Sequence, residues 1–179
     1  WTQISKLSAS CALTLNPVPI LFAGLLNHFE TKGPAEIPSK REFIIKDCMR
    51  KANKLQVSFN IPPGHPFNPL LASRVAIASA SLGQGIQQRT IDCLYRGAWV
   101  EALDISNPAV VQRLLNLGGL DSDQLMQAAQ DEAVKKQLRS NTENAIACGV
   151  FGVPSLVLDR EVFWGVDTHA DVEAFAAGK

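Results

Sequence analysis

Gly149-Val-Phe-Gly-Val-Pro154-Ser-Leu-Val-Leu-Asp-Arg-Glu-Val-Phe-Trp-Gly-Val-Asp167 is the stretch on which the reading of this 179-residue chain turns. Everything just ahead of it has helical periodicity, and here the texture changes. Ser155-Leu-Val-Leu158 and Val162-Phe-Trp164 are short apolar runs on either side of Asp159-Arg160-Glu161, which reads as a β-hairpin. Gly165 ends it. Thr168, with Asp171 three residues later, has the spacing of a cap for a last helix that carries Val172, Phe175 and Ala176.

Upstream, the chain is helical for about a hundred residues. Residues 131–148 form a long helix with a charged face and with Val134, Leu138, Ala145 and Ile146 turned inward. Asp121 and Gln124 mark a short helix, and Asn107-Pro108 starts another that Gly118-Gly119 stops. Two further stripes are Ile91, Leu94, Tyr95, Ala98, Ala102 and Leu71, Val75, Ala78, Leu82. Residues 60–69 hold four prolines, a connector that no helix crosses. Pro38 opens a helix whose stripe is Ile45, Cys48, Met49 and Ala52, and residues 21–29 form a short apolar one.

At the other end, Leu13 and Leu15 alternate with polar residues as in a strand. Pro17 and Pro19 cannot donate to a ladder, so this strand belongs at an edge. Ile4, Leu7, Ser8 and Cys11 share a helix face, yet neither a polar first turn nor an initiator Met precedes them. The chain reads as starting inside a helix, so a segment ahead of Trp1 is expected. The picture is a small α/β unit built from the two chain ends, with a helical block between them.

Composition narrows the function classes. Seventeen basic and seventeen acidic residues leave a formal net charge of zero, with no general attraction to nucleic acid or anionic membrane. No apolar run approaches the roughly 20 residues needed to span a bilayer. Cys11, Cys48, Cys93 and Cys148 are too far apart in sequence for a C-x-x-C pair or a zinc knuckle, and His28, His65 and His169 lack metal-ligand spacing. No metal is expected. The cysteines read as small buried thiols, which favours a reducing compartment, and the expected location is cytoplasmic.

Asn141-Thr-Glu-Asn-Ala-Ile-Ala-Cys-Gly-Val-Phe-Gly-Val-Pro154 followed by Phe163-Trp-Gly-Val-Asp167 resembles the 2-hydroxychromene-2-carboxylate isomerase family. That family groups with kappa-class glutathione transferases and DsbA-like proteins. Lys32-Gly-Pro-Ala-Glu-Ile-Pro-Ser-Lys40 and His65-Pro-Phe-Asn-Pro69 extend the likeness over essentially the whole chain. The resemblance implies a thioredoxin-like fold with a large all-helical insertion. Residues 1–37 and 149–179 would make the discontinuous thioredoxin-like domain, and 38–148 the insertion. It also implies a first strand and a serine-bearing turn ahead of Trp1, so the catalytic group is expected outside this chain. One departure lies within it: the family has Arg after the motif Asp, and here the residue is Thr168.

The resemblance implies glutathione as cofactor. Pro154 would be cis, presenting the Val153 N–H and C=O to the tripeptide backbone as an added strand would. Asp167 would hold the γ-glutamyl ammonium, with Val166 and Thr168 beside it, and Lys40 would meet the glycine carboxylate. Read without the family, Pro154 is an ordinary strand-opening proline, Asp167 a helix cap and Lys40 a solvated helix residue. Phe151, Trp164, Phe67 and His65 could wall an aromatic pocket, although for Phe151 and Trp164 a core position is the stronger reading.

The implied activity is a glutathione-dependent cis-trans isomerisation of a conjugated aromatic keto acid by a homodimer. A kappa-like transferase would use the same site and release a conjugate. A DsbA-like oxidoreductase would need C-x-x-C in the preceding turn. A non-catalytic binding protein is the remaining alternative.

Overall fold

The computed structural model describes residues 1–178. A short helix α1 (Ile4–Ser10) leads through an extended segment into α2 (Phe22–His28). A 3-10 turn (Pro34–Glu36) and the long α3 (Pro38–Leu55) follow. Next come α4 (Leu70–Ala80), α5 (Gln84–Trp99), α6 (Pro108–Leu117), α7 (Ser122–Ala128) and α8 (Glu132–Ala147). The hairpin β1 (Ser155–Leu158) and β2 (Glu161–Trp164) and the final α9 (His169–Ala177) close the chain. No helix among the described residues is long and apolar enough to cross a membrane.

The core lies in the helical middle. Val75 on α4, Leu94 and Ala98 on α5, Val111, Leu114 and Leu115 on α6 and Leu125 on α7 form one buried cluster. Their spacing of three and four residues puts each set on one helix face. Gly97 lets α5 and α6 approach closely: a Cβ there would lie 2.3 Å from Leu114 Cδ1. Pro108 at the first turn and the Asn107 side chain, which accepts from the Ala109 N–H at 2.9 Å, start α6. Asp121 starts α7 by accepting from the Gln124 N–H at 3.0 Å.

The hairpin forms where expected, antiparallel, with Ser155 opposite Trp164 and Leu158 opposite Glu161. Its loop is two residues, not three: Asp159 and Arg160 both have positive φ, 47° and 73°. That is the turn whose twist suits a tight hairpin, and Glu161 already belongs to the strand. The sheet of the described residues has only these two strands.

Residues 13–20 are extended but join no ladder. Helix side chains take the place of a neighbouring strand. Gln84 Nε2 donates to the Leu15 carbonyl at 2.5 Å, Gln87 Nε2 to Pro17 at 3.2 Å and Asn141 Nδ2 to Pro19 at 3.0 Å. The Leu21 N–H then donates to Thr142 Oγ1 at 3.0 Å. Alternate residues share one edge of an extended chain, so α5 and α8 satisfy that edge residue by residue. Pro17 and Pro19 sit on it and have no N–H to leave unpaired. Thr14, Asn16, Val18 and Ile20 have no backbone partner among the described residues.

Thr142 is buried and used twice, since its hydroxyl also donates to the Leu138 carbonyl at 2.8 Å. Thr142→Val keeps the shape and leaves the Leu21 N–H unpaired. The expected loss is about 1–3 kcal/mol in urea unfolding, with Thr142→Ser near the parent value. A Thr142→Val protein as stable as the parent would show that water satisfies Leu21 equally well.

Candidate ligand-binding site

Val150, buried, anchors the loop that leads from α8 into β1 through its N–H bond to Ala145 at 2.9 Å. The loop ends in a cis Val153–Pro154 peptide bond. The Pro154 carbonyl accepts from the Gly165 N–H at 2.9 Å, extending the hairpin pairing by one residue pair. Pro154, Leu156 and Leu158 therefore direct their backbone groups toward β2, and Val153, Ser155 and Val157 direct theirs to the outer edge. Val153 is exposed, and its N–H and C=O have no partner among the described residues.

Beside this edge lies an aromatic pair. Phe151 and Trp164 pack with ring centroids 5.1 Å apart, Phe151 at 50% and Trp164 at 52% exposure. The core position expected of them is overturned. Trp164 stands on the solvent side of a hairpin covered on one face only, where Phe163 packs on Phe175 of α9. Gly152 lies under the Trp164 ring, where a Cβ would come within 2.6 Å of Nε1.

Val166, Asp167 and Thr168 follow β2, the first two exposed. Thr168 is the N-cap of α9 by position, but its hydroxyl donates back to the Gly165 carbonyl at 3.0 Å and accepts nothing from the helix. The cap expected from Thr168 and Asp171 is therefore not made. Asp167 does not cap either. Its Oδ2 lies 3.0 Å from Nζ of Lys51, a residue of α3 that the sequence did not single out. Lys51 is also 3.0 Å from Asp47 Oδ2, one helical turn back. Hydrogen bonds donated to Asp167 and then to Asp47 raise the Lys51 pKa above its ordinary value, so this ammonium stays charged. The signal for Lys51 was its spacing from Asp47, which reads equally well as a solvated helix pair.

Lys40 is exposed on the first turn of α3, 11 residues and thus about 16 Å along the helix from Lys51. Val153, Pro154, Val166, Asp167 and Thr168 cluster at the hairpin base, and Lys40 stands apart from them.

Phe67 and His65 belong to a different aromatic group, with Trp99 and Phe59. His65 precedes a second cis bond, to Pro66, and its carbonyl accepts from Arg41 Nη2 at 2.6 Å. Partial burial and then the Arg41 charge hold the His65 pKa below the usual histidine value. His65 itself is half-buried. The thiols are not uniformly buried: Cys148 is exposed and the other three are half-buried. Burial and then Asp47 push the Cys48 thiol up, away from a reactive thiolate. Among the described residues no group of three or more His, Cys, Asp or Glu could hold a metal ion.

Residues 2–176 match the family model described as a DSBA-like thioredoxin domain. The chain is 28% identical over 143 residues to glutathione S-transferase kappa 2 of Caenorhabditis elegans, covering 76% of this chain and 64% of that protein's length. It is 24% identical over 140 residues to 2-hydroxychromene-2-carboxylate isomerase of Sphingobium xenophagum, covering 77% of this chain and 72% of that protein. The solved structure of a selenomethionine 2-hydroxychromene-2-carboxylate isomerase superposes with a TM-score of 0.85 at 20% identity, over 98% of this chain and 86% of that one.

Gly152→Ala tests whether the ring pair is fixed by the missing Cβ. The expected cost is about 1–3 kcal/mol in chemical unfolding, from overpacking against a large ring. A changed near-ultraviolet circular dichroism signal should accompany it. An unchanged spectrum and stability would mean that the Trp164 ring yields freely.

Proposed function

Given that this chain belongs to the DsbA-like thioredoxin family, we propose that it binds glutathione at the hairpin base and serves a glutathione-dependent cis-trans isomerase of the 2-hydroxychromene-2-carboxylate type. The observation that carries this reading is Val153. An exposed residue on an outer strand edge, with both backbone groups unspent, is what strand-like docking of a short peptide requires. A carboxylate lies at the end of the same hairpin. The donor set fits glutathione: backbone N–H and C=O for the cysteinyl unit, and Asp167 for an ammonium.

Bound there, glutathione would supply a nucleophilic thiolate for reversible addition to a conjugated double bond. The residues of this chain hold and orient. Val153 would hold the cysteinyl unit through its N–H and C=O, in the loop that also carries Phe151. Those exposed rings offer an apolar π-surface to an aromatic keto acid. Lys40 is the proposed partner of the glycine carboxylate. A tripeptide spans about 10–11 Å extended, and the Lys40 side chain makes up much of the remaining distance along α3. Val166 and Thr168 contribute backbone to the γ-glutamyl end.

A kappa-like transferase is the second reading, favoured by the nematode relative. Nuclear magnetic resonance of a conjugated aromatic keto acid with the protein and glutathione separates the two. The isomer with glutathione unconsumed supports isomerisation, and a stable adduct supports transfer.

Asp167→Ala should weaken glutathione binding about tenfold to a hundredfold by isothermal titration, because a charge-assisted hydrogen bond is worth ~1.5–3 kcal/mol. The melting temperature should hardly move, since an exposed ion pair contributes ~0–1 kcal/mol. Unchanged affinity would remove Asp167 from the site, and a parent protein that does not bind glutathione would end the reading.

A further inference from the structure

Lys51 stands between two carboxylates, Asp47 and Asp167, at 3.0 Å from each. Two negative charges and one positive leave the row one unit negative. The ammonium has three N–H donors, and two are directed at these carboxylates. Asp167 uses only Oδ2, and its Oδ1 has no partner among the described residues. Its side chain is 77% exposed and that of Lys51 is 36% exposed. A free acceptor with negative charge and a free donor with positive charge therefore lie side by side on the solvent face of one ion pair.

We propose that Lys51 and Asp167 together recognise the zwitterionic head of an α-amino acid, the carboxylate on Lys51 Nζ and the ammonium on Asp167 Oδ1. The assignment rests on the glutathione reading and makes the γ-glutamyl end a two-point contact. Lone amines and lone carboxylates each satisfy only half of it. Asp47 has a supporting part: it holds Lys51 from within α3, so the lysine does not need Asp167 to keep its position. The zwitterionic head is itself neutral, so the row keeps its single negative charge while each ligand charge faces an opposite one. Because the lysine comes from α3 and the aspartate from the segment after β2, the contact joins two parts of the chain 116 residues apart.

The test compares two tripeptides by isothermal titration: glutathione, and 4-aminobutyryl-cysteinylglycine, which keeps the amine and lacks the α-carboxylate. The parent should prefer glutathione by about tenfold to a hundredfold, the worth of one charge-assisted hydrogen bond. In Lys51→Met that preference should collapse to within about twofold, with the affinity for the 4-aminobutyryl peptide little changed. Lys51→Arg should keep the preference. A Lys51→Met protein that loses affinity equally for both peptides would make Lys51 only a support for Asp167, and would overturn the proposal. So would an undiminished preference for glutathione. Both outcomes leave the glutathione reading standing, whereas a parent that binds neither peptide removes the reading and this assignment together. Melting curves of both variants, expected within a few degrees of the parent, show that the comparison is between folded proteins.

Discussion

An extended chain segment must satisfy its backbone, and in residues 15–21 the partners are helix side chains. Gln84, Gln87, Asn141 and Thr142 take the three carbonyls and the one N–H that alternate along one edge. A strand could have done this only in part, because Pro17 and Pro19 have no N–H to give. The two prolines and the four polar helix residues are therefore one device. It attaches the N-terminal part of the chain to α5 and α8, and α8 leads directly into the loop that carries Val153. The position of the hairpin base follows from that attachment, together with the packing of α1 on α9 and α2 on α8.

The hairpin is apolar on the side that Phe163 shares with α9, and open on the other. Openness has two consequences. The outer edge of β1 keeps unpaired backbone groups at Val153, and a large ring pair stays in solvent beside them. Exposed aromatic surface next to unspent hydrogen-bonding groups is unfavourable for a free protein and favourable for one that closes over a small ligand. Gly152 belongs to the same arrangement, since any side chain there would displace Trp164.

Much of this was legible in the sequence. Helix starts at Asn107-Pro108 and Asp121 were visible because a cap is a local event, set by one side chain and the next three N–H groups. The hairpin was visible from two short apolar runs on either side of Asp159-Arg160-Glu161. Failures came where the deciding partner is distant. Residues 13–20 have the alternation of a strand, and nothing local reveals that α5 and α8 replace the ladder. Thr168 has the spacing of a cap, yet its hydroxyl turns back to Gly165. Trp164 and Phe151 carry the composition of core residues, and composition does not say which face of a hairpin is covered. The family likeness pointed to Asp167 and Val153, and it could not point to Lys51, whose partner lies 116 residues away.

The energetics of the Lys51–Asp167 pair explain why such a contact is available for binding at all. Exposed ion pairs add little to stability, because water screens the attraction and two flexible side chains must be ordered. Folding therefore gains almost nothing from this pair, and the charges remain nearly as reactive toward a ligand as toward each other. Their relative position is nonetheless held from both sides, by Asp47 within α3 and by the Gly165 turn that fixes the segment after β2. In the proposed contact a ligand head group would meet two charges already ordered, and the entropic cost of arranging them would fall on the fold instead of on binding. Weak contribution to stability and strong preorganisation are compatible in this pair because different interactions supply them.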